Sequence, residues 1–565
     1  MNQAHPATAG MQFAAAERST VTPIGPALEV DRADEIAWSD RADVVVVSWG
    51  VAGACAAIEA RSAGASVIVV ERFEGGGASA LSGGVVYAGG GTPYQKAAGY
   101  ADTPEAMCDY LRREVKGVVS DETLRRFCRD SVANLDWLEQ QGARYGATMP
   151  KYKTSYPPDG VFLYYSGNEA VPAYRSSAPP APRGHRTAAK GQSGATLYAA
   201  LQAATLRAGA VAVTQAAVRR LVRERSNGRV LGVEVWQLPP GEPSTRRHAR
   251  LQRQATKWRN YRAAQAAAWR LEAAEIERRH ARPRLIRAER GVVLSTGGFI
   301  HNQQLVERHA PNYREGWPIG AAGCDGSGLR LGQSVGGRAQ GLSNVSAWRF
   351  ITPPYAWPKA MVVNARGERF CNEQAYGAKL GHEMVEHQGG KAWLIIDARL
   401  RRQAIRECLF GGLWAFQSLP AIAMMLMGAK KAPTMAELAR RIGADPTALD
   451  RHWRAYNAAA RGQREDLLGK PLDMCQALDR APFYALNISI GEKLFPLPTI
   501  TLGGLQVNEA DGHVSDAAGR DIPGLFAAGR SAIGVASSCY VSGLSLADCV
   551  FSGRRAGRAA AETQV

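Results

Sequence analysis

The segment from residue 43 to residue 71 limits the fold more than any other part of the chain. Residues 44–47 and 67–70 consist of Val and Ile alone, as expected for parallel strands that are buried on both faces. Between them, residues 54–63 favour a helix that stops at Gly64. This order of strand, turn, helix and strand predicts the first unit of a doubly wound α/β fold.

The turn between the first strand and the helix has the pattern of a dinucleotide-binding fingerprint. It consists of Ser48, Trp49, Gly50, Val51, Ala52 and Gly53. Gly50 lets the backbone approach a pyrophosphate, Gly53 lets the helix pack on the strand, and Glu71 can accept hydrogen bonds from ribose hydroxyls. Ser48 at the first glycine position departs from the fingerprint but leaves the path to the phosphates open. With the two strands, the turn and its acid predict dinucleotide binding.

A second glycine-rich loop, residues 75–84, begins four residues after Glu71 and suits a larger dinucleotide whose far end must also be held. Residues 294–299 and 522–529 supply two further glycine segments. Each of these segments alone could be an ordinary turn. In this order along one chain they are far more specific.

With these motifs the chain resembles the flavoprotein superfamily of fumarate reductases and 3-ketosteroid dehydrogenases. The resemblance implies an α/β fold: a doubly wound (Rossmann-like) FAD-binding domain with an inserted α+β substrate or cap domain and a basic helical insertion. We expect the FAD-binding domain at 40–344, with the insertion at 245–285. The catalytic cap is expected at 345–490, and the last part of the FAD-binding domain at 491–565.

The resemblance also implies which residues hold FAD. They are Gly50, Val51, Ala52, Gly53, Glu71, Arg72, Ser79, Ala80, Ser82, Gly83, Gly84, Val218, Thr296, Gly297, Gly298, Gly529, Ser545 and Leu546. Family members that attach FAD covalently use a histidine in the loop that matches residues 75–84, and this chain has none there. We therefore expect non-covalent FAD, and we expect no metal.

Two positions argue against a dicarboxylate substrate. The dicarboxylate branch of the family clamps its substrate with a histidine and an arginine, because two carboxylates need charge-assisted partners. Where that branch has the histidine, this chain has Phe-Pro-Leu-Pro-Thr at 495–499. Where it has the arginine, this chain has the loop 538–545 with Tyr540. Apolar groups and a phenol would hold a dianion poorly.

The C-terminal loop instead resembles the ketosteroid branch. Residues 540–542, Tyr-Val-Ser, match the Tyr-x-Ser of members that act on the Δ4-(5α) bond. A second tyrosine of the family lies near an Arg-Phe-x-Asn-Glu segment, here residues 369–373, which points to Tyr376 with Tyr355 as a nearby competitor. The implied catalytic residues are Tyr540, Tyr376, Ser542, Gly543 and Leu544.

Dehydrogenation next to a ketone gives these residues separate roles. The α-proton must be removed and the β-hydrogen leaves as hydride to the flavin, while the carbonyl oxygen gains enolate charge. We assign the Tyr540 hydroxyl and the N–H groups near Gly543 and Leu544 to that oxygen. Tyr376 would take the α-proton with Ser542 as relay, because a phenol of pKa about 10 needs help to act as a base.

The hypothesis is therefore an FAD-dependent 3-ketosteroid dehydrogenase of the Δ4-(5α) type. It is an oxidoreductase acting on CH–CH groups of an apolar steroid or sterol ketone, with an external electron acceptor. A 3-ketosteroid Δ1-dehydrogenase and a flavin-dependent enone or fumarate-type reductase stay open as alternatives.

The formal charge of +18 lies largely in one stretch, residues 245–290, which contains 14 Lys and Arg against four Asp and Glu. Apolar residues recur there at near-heptad spacing and predict one amphipathic helix from about 246 to 281. Strands expected around the turn Asn227-Gly228 and at 291–295 make the stretch an insertion into a β-meander. Three interpretations compete: a solvated helix packed on its own protein, a membrane-surface helix, and a nucleic-acid-binding helix.

A flavin-containing nucleic-acid-binding protein is the alternative from another class. The chain has neither zinc-ligand spacing nor an RNA-binding consensus, so we do not expect a nucleic-acid partner. We predict instead that the helix at 245–285 is peripheral to catalysis and makes a peripheral contact with a membrane surface.

The remaining expectations concern compartment and core. The chain has no apolar run of about 18 residues, and the stretch before Asp40 lacks the basic start and apolar segment of a signal peptide. Nine cysteines without a Cys-x-x-Cys pair predict reduced thiols. We expect a cytoplasmic protein with a peripheral membrane contact. An apolar stripe at 413–427 is expected in the core of the cap, although its methionines would also suit a bulky apolar ligand.

Overall fold

The computed structural model describes residues 19–564, so the prediction that the chain has no leader falls in part outside the described residues. The strands are β1 (Leu28–Val30), β2 (Asp40–Val47), β3 (Val67–Val70), β4 (Val85–Tyr87), β5 (Leu163–Tyr164), β6 (Gly184–Arg186), β7 (Val211–Val213), β8 (Ala216–Glu224), β9 (Val230–Gln237), β10 (Arg282–Leu294), β11 (Trp317–Pro318), β12 (Ala339–Gln340), β13 (Val345–Ala347), β14 (Met361–Asn364), β15 (Ala392–Ile396), β16 (Lys430–Ala432), β17 (Phe483–Asn487), β18 (Pro498–Thr501), β19 (Gly504–Leu505), β20 (His513–Ser515) and β21 (Asp521–Ala527).

The helices, short 3-10 turns aside, are α1 (Val51–Ser62), α2 (Gly77–Ala80), α3 (Pro93–Ala97), α4 (Pro104–Val115), α5 (Asp121–Arg129), α6 (Ser131–Gln140), α7 (Pro172–Arg175), α8 (Gly194–Arg207), α9 (Pro243–Trp258), α10 (Ala263–His280), α11 (Gln303–His309), α12 (Ser327–Ser334), α13 (Gly377–His387), α14 (Ala398–Phe410), α15 (Ala415–Ala423), α16 (Met435–Ile442), α17 (Pro446–Ala460) and α18 (Leu544–Glu562). A π-helical turn, Met424–Gly428, continues α15.

The main sheet is formed by the first and last parts of the chain. Among the described residues it has nine strands, seven of them in the order β1-β8-β9-β10-β2-β3-β7, with β21 beside β10 and β20 beside β21. Strands β2, β3 and β7 are parallel, and the end of β10 is parallel to β2 and β21. Strands β8, β9 and β10 form the predicted antiparallel meander. The expected α/β fold is confirmed.

Two helices pack closely beneath this sheet. Helix α1 is buried along ten of its twelve residues; five of the twelve are alanine, and α18 lies against it. Gly553 and Gly557 of α18 allow this contact, since a Cβ there would lie 2.5 Å from the Ala52 oxygen and 2.2 Å from the Ala56 oxygen. The C-terminal helix thereby holds the helix that follows the glycine turn.

The basic insertion differs from the single helix predicted for 246–281. It forms two helices, α9 and α10, which pack against each other and are joined by a turn at residues 259–262. Folding back lets Leu251 of α9 and Ile276 of α10 share one apolar cluster with Leu238. One long helix would have left much of that apolar face in water.

The cap has its own sheet and core. Its four strands lie in the order β14-β15-β17-β16, and they pack with α13 to α17 around a separate apolar cluster. Residues 435–442 form α16, which Thr434 caps by accepting from the Glu437 N–H. The stripe at 413–427 is only half in the core: Met424 and Met425 are buried, but Phe416 and Met427 are exposed. The boundaries 345–490 stay a prediction.

Among the described residues, the longer helices are all too polar to span a lipid bilayer.

Candidate active site

The glycine turn joins β2 to α1 as predicted, with one substitution that the backbone accommodates. Ser48, at the first glycine position, has a φ of 83°, in the left-handed region that favours glycine. Its hydroxyl donates to Glu71 Oε2 at 3.0 Å. Gly53 has no room for a side chain, since a Cβ would lie 2.1 Å from the Ser48 oxygen. No side chain caps α1 at Gly50, so the N–H groups of its first turn are suited to a phosphate.

Glu71 follows β3, and three donors hold its carboxylate. Oε2 also accepts from the Trp49 N–H at 2.8 Å, and Oε1 accepts from the Phe73 N–H at 2.9 Å. The fixed carboxylate lines a cavity between the glycine turn and β8. The predicted residues on this cavity are Glu71, Arg72, Val218 and Thr296, and those missed by the sequence include Thr22, Phe73, Ala78, Ala216, Ala217 and Ser327. An acid held in this way is suited to ribose hydroxyls.

Arg72 lies on the cavity wall, but its guanidinium belongs to a buried ion network. It contacts Glu277 at 3.0 Å and Asp325 at 3.1 Å. Glu277, on α10 of the insertion, also contacts His248 Nε2 at 2.9 Å. Burial opposes ionisation of Glu277, but the charge of Arg72 and the hydrogen bond from His248 lower its pKa to about 2. The insertion therefore borders the predicted cofactor pocket and lies closer to it than we predicted.

The second glycine loop is held by its own hydroxyls. The predicted residues Ser79 and Ala80 lie on α2, and Ser82, Gly83 and Gly84 follow it. The Ser82 hydroxyl donates to the Ser79 oxygen at 2.7 Å and accepts from the Gly84 N–H at 3.1 Å. Ser79 Oγ in turn accepts from the Val51 N–H at 3.3 Å, which joins this loop to the start of α1.

The later glycine segments meet at the same edge, after the parallel strands β10 and β21. Thr296, Gly297 and Gly298 follow β10, Gly529 follows β21, and Ser545 and Leu546 lie in the uncapped first turn of α18. The Gly297 and Gly529 N–H groups donate to hydroxyls of the protein itself. The sequence did not single out Arg530, whose Nη1 is buried and has no hydrogen-bond partner among the described residues. Such an unpaired donor is suited to an anionic or carbonyl-rich cofactor.

The C-terminal loop brings Tyr540 and Ser542 together with Tyr376 and with a phenol that we did not predict, Tyr164. Tyr164 Oη and Ser542 Oγ lie 3.0 Å apart. Burial raises the pKa of Tyr376 well above its usual value, and the nearby phenols of Tyr540 and Tyr164 raise it further, while Ser542 has the opposite effect. Burial also raises the pKa of Tyr540 to about 12. The phenols in this group are therefore protonated at neutral pH.

Apolar rings form one side of this group. The ring centroids of Trp348 and Tyr540 lie 4.6 Å apart, and those of Phe350 and Tyr376 lie 5.6 Å apart. Phe495, in the segment where the dicarboxylate branch has its histidine, packs on Trp357 with centroids 5.8 Å apart. This arrangement suits a flat apolar ligand with one or two polar atoms, and has no cationic clamp in these two segments.

The loop 166–169 joins the cap to the C-terminal loop. Asn168 Oδ1 accepts from the Tyr376 N–H at 2.7 Å, and the Ser542 N–H donates to the Ser166 oxygen at 3.2 Å. Asn168 is itself held by Glu114, which accepts from its Nδ2 at 2.7 Å. One buried loop thus positions both residues, although they are far apart in sequence.

Two N–H groups predicted to bind the substrate carbonyl, those of Leu544 and Gly543, have partners within the protein. The Leu544 N–H donates to the Val541 oxygen at 3.0 Å, so it is not available to a substrate carbonyl. Gly543 N–H acts on the Tyr540 phenol, where it opposes the rise in pKa that burial causes. Tyr355, the competitor of Tyr376, instead packs on Tyr152 with centroids 5.1 Å apart.

A possible metal group lies elsewhere. Among the described residues, Asp511, His513 and Asp521 bring one ligand atom each to within 4.8 Å of one another. His513 Nδ1 already pairs with Asp511 Oδ2 at 2.8 Å. The group lies at the surface, outside the cofactor cavity and the tyrosine group.

Comparisons with known proteins show the family to which the chain belongs. Residues 43–546 match a family model described as an FAD binding domain. The chain is 56% identical to the 3-oxo-5-alpha-steroid 4-dehydrogenase of Comamonas testosteroni, over 90% of this chain and 96% of that one. A 3-oxosteroid 1-dehydrogenase of Mycolicibacterium smegmatis is 26% identical, over 88% of this chain and 93% of that one. A solved 3-ketosteroid-delta4-(5alpha)-dehydrogenase from Rhodococcus jostii RHA1, in complex with 4-androstene-3,17-dione, has a TM-score of 0.79 and 30% identity, covering 96% of this chain and 100% of that one.

Proposed function

The chain belongs to the family of FAD-binding flavoproteins that includes the 3-oxo-5-alpha-steroid 4-dehydrogenases, and from this premise we propose that it is an FAD-dependent 3-ketosteroid Δ4-(5α)-dehydrogenase. It oxidises a CH–CH bond beside the 3-keto group. The proton leaves carbon 4 and the hydride leaves carbon 5, so that a 3-ketosteroid becomes a 4-en-3-one.

The observation that supports this proposal best is the position of Tyr540 and Ser542 beside Tyr376. Tyr540 and Ser542 both act on the Tyr376 phenol, and Trp348 and Phe350 pack on the rings of Tyr540 and Tyr376. The relatives that match at higher identity act on the Δ4-(5α) bond, whereas the Δ1-dehydrogenase is more distant. The relatives favour the Δ4-(5α) bond, and the apolar rings of the site favour a steroid as substrate.

FAD fits the cavity at Glu71 and the glycine segments beside it. The uncapped start of α1, the carboxylate of Glu71 and the unpaired Arg530 Nη1 are the kinds of group that a flavin dinucleotide uses. Bound FAD supplies a two-electron acceptor for the hydrogen that leaves carbon 5. The loop 75–84 contains no histidine, which supports non-covalent binding.

Tyr540 polarises the substrate carbonyl. Its phenol is protonated at neutral pH because burial raises its pKa to about 12, so it can donate a hydrogen bond to the oxygen at carbon 3. That hydrogen bond strengthens as the oxygen gains enolate charge, which lowers the barrier to loss of the proton at carbon 4. The Leu544 N–H takes no part, since it is bound within its own turn.

Tyr376 takes the proton from carbon 4. Burial keeps its phenol protonated, so it can accept that proton only while it passes its own proton on. Its own proton passes to Ser542, and Ser542 passes one to Tyr164, whose hydroxyl lies 3.0 Å from Ser542 Oγ. Tyr164 releases one proton to water, so each hydroxyl takes up one proton and gives one up. A chain of hydroxyls of this kind moves a proton without a stable phenolate.

Incubation of the purified protein with a 5α-3-ketosteroid and a dye acceptor tests the proposal. We expect bleaching of the flavin and formation of a 4-en-3-one. Absence of both would contradict it. If the 4-en-3-one is consumed as substrate instead, the enzyme is a Δ1-dehydrogenase, and if reduced flavin is oxidised by the enone, it is a reductase. Steep salt-dependent mobility shift of DNA or RNA would favour the nucleic-acid alternative.

Two partners stay proposals. An external acceptor must reoxidise the flavin, and the dye stands in for it. A membrane contact through 245–285 is supported by the tip of the insertion, where Tyr261 is 76% exposed between Lys257 and Arg262. The apolar face of this insertion packs on its own protein, so only the tip is offered to a membrane. Sedimentation of a Tyr261→Ser variant with anionic liposomes tests this contact.

A further inference from the structure

One side of the cap exposes a band of large apolar side chains, here called the cap face. It consists of Phe410 (81% exposed), Phe416 (48%), Leu419 (61%), Leu426 (60%) and Met427 (71%). These residues lie at the end of α14, on α15 and on the π-helical turn after it. Arg401 near the start of α14 donates to the Met425 oxygen at 3.1 Å, so the two segments form one helical hairpin. Leu494 continues the band, since its Cδ1 would lie 3.3 Å from a Cβ added at Gly428.

The polarity of α15 and its π turn is the reverse of that expected in water. Between residues 413 and 429 the polar side chains are Gln417 and Ser418, and both are buried. The exposed positions 416, 419, 426 and 427 recur at helical spacing and are all apolar. A surface helix normally turns its polar residues outward, and a continuous exposed apolar face marks a contact surface.

The rim of the cap face is positively charged. The exposed bases there are Arg402, Arg406, Lys430, Lys431 and Lys493, and none of them forms an ion pair with another described residue. Residues 398–431 contain a single acid, Glu407. Its carboxylate accepts from the Ala356 N–H at 3.0 Å. Glu492, next to Lys493, accepts from the Asn487 amide at 2.8 Å and from the Leu494 N–H at 2.9 Å. The face therefore offers apolar side chains with a rim in which exposed bases outnumber acids.

We propose that the cap face docks on an anionic lipid bilayer. Apolar side chains enter the boundary between headgroups and acyl chains, while the surrounding bases contact anionic headgroups. A second copy of the chain is a poorer occupant, because a two-fold contact would bring the basic rims of both copies together. The insertion tip at Tyr261 has one exposed aromatic residue, whereas the cap face has a continuous band.

The cap face lies one layer of side chains from the cofactor loop. Trp414 Nε1 donates to the Pro157 oxygen at 3.2 Å. Tyr156, which precedes Pro157, donates from its hydroxyl to the oxygen of Gly83 in the cofactor loop 75–84 at 2.9 Å. Docking here would bring the membrane beside the site that takes an apolar steroid. The idea that docking brings the steroid site to the membrane rests on the proposed function, but the docking itself does not require a steroid.

Co-sedimentation of the FAD-loaded protein with vesicles, without steroid, tests the proposal. We compare phosphatidylcholine vesicles with vesicles in which one lipid in three is phosphatidylglycerol. Wild type is expected to bind the anionic vesicles, and high salt is expected to weaken this binding. A variant with Phe410→Ser, Leu419→Gln, Leu426→Gln and Met427→Gln is expected to lower the partition coefficient by about tenfold or more.

Matched variants separate the contribution of the basic rim from that of the apolar side chains. Lys430→Gln with Lys431→Gln, which leaves every apolar residue in place, is expected to weaken binding to anionic vesicles and to leave weak binding to neutral vesicles unchanged. Leu206→Gln, which changes an exposed leucine on α8 outside the cap face and outside the insertion, is expected to bind like wild type. Flavin absorbance and thermal unfolding report whether each variant is folded.

Three results would overturn the proposal. The first is that wild type stays in the supernatant, and the second is that the four-site variant binds vesicles like wild type. The third is that wild type is a dimer that does not bind vesicles, while the four-site variant is a monomer. If docking fails while the 4-en-3-one still forms in detergent-free buffer, the proposed function stands. If docking holds and no steroid is oxidised, the proposed function fails alone.

Discussion

The hydroxyl oxygens of Tyr164 and Ser542 lie 3.0 Å apart, although 378 residues separate them in sequence. Tyr164 ends the short strand β5, and Ser542 lies just before α18. Ser542 also acts on Tyr376, where its hydroxyl opposes the effect of burial on the phenol pKa. In the proposed mechanism, this pair extends the proton path that begins at Tyr376.

Tyr164→Phe tests this path, since the substitution removes one hydroxyl from a fully buried ring. We expect kcat to fall about tenfold, with KM for the steroid little changed, because the ring stays and only the proton transfer is impaired. Stopped-flow reduction of the flavin by steroid measures the step. Tyr313→Phe, another buried tyrosine but in the cap core, is the control. Equal rates for wild type and Tyr164→Phe would remove Tyr164 from the relay.

Tyr376→Phe and Tyr355→Phe decide between the two candidate bases. Tyr376 lies with Ser542 and Tyr540, whereas Tyr355 packs on Tyr152. We expect a fall in kcat of about a hundredfold or more for Tyr376→Phe and less than twofold for Tyr355→Phe, since loss of a general base typically costs this much. A larger loss in Tyr355→Phe would reverse the assignment.

Glu71→Gln tests the cofactor pocket, because the carboxylate accepts from Ser48, Trp49 and Phe73. An amide at this position has one oxygen and cannot reproduce all three bonds. We expect the Kd for FAD to rise about tenfold, measured by flavin fluorescence on titration of apoprotein. Glu74→Gln, an exposed acid three residues on that pairs with Arg253, is the control and should bind FAD like wild type.

His185 predicts how stability depends on pH. Burial lowers its pKa from 6.5 to about 4, so the unfolded chain binds a proton more readily than the folded chain. The stability that neutral His185 confers is therefore complete above pH 6.5 and is lost as pH falls towards about 4, by up to roughly 1.4 kcal/mol per pH unit. Thermal unfolding across this range should show a steeper fall for wild type than for His185→Gln. Parallel pH profiles would contradict this.

The local part of the fold follows directly from sequence. Strands β2 and β3 with α1 between them and the hairpin at Asn227-Gly228 were predictable, because each depends on residues that are close in the chain. Ser48 is the instructive exception. Its positive φ is compensated by Glu71, which lies 23 residues on, so the departure from the glycine pattern could not be judged from the turn alone.

The rest of the site depends on contacts that no local pattern reveals. Tyr164 lies on a strand of two residues, and Asn168 meets Tyr376 only because the cap folds over the first domain. The Leu544 N–H was assigned to the substrate because the turn that satisfies it was not visible in the sequence. The prediction of a single helix for the insertion was wrong, because heptad spacing does not distinguish one long helix from two helices that fold back on each other.

One measurement tests the central claim most directly. The FAD-loaded protein is mixed without oxygen with one equivalent of a 5α-3-ketosteroid that carries deuterium at carbons 1, 2, 4 and 5, and the product is examined by NMR. We predict that one of the two labels at carbon 4 and the label at carbon 5 are lost as the flavin is reduced, while the labels at carbons 1 and 2 are retained. Tyr540→Phe is expected to keep its FAD but to react at least about a hundredfold more slowly. Loss of label from carbons 1 and 2, or an unchanged rate in Tyr540→Phe, would contradict the account.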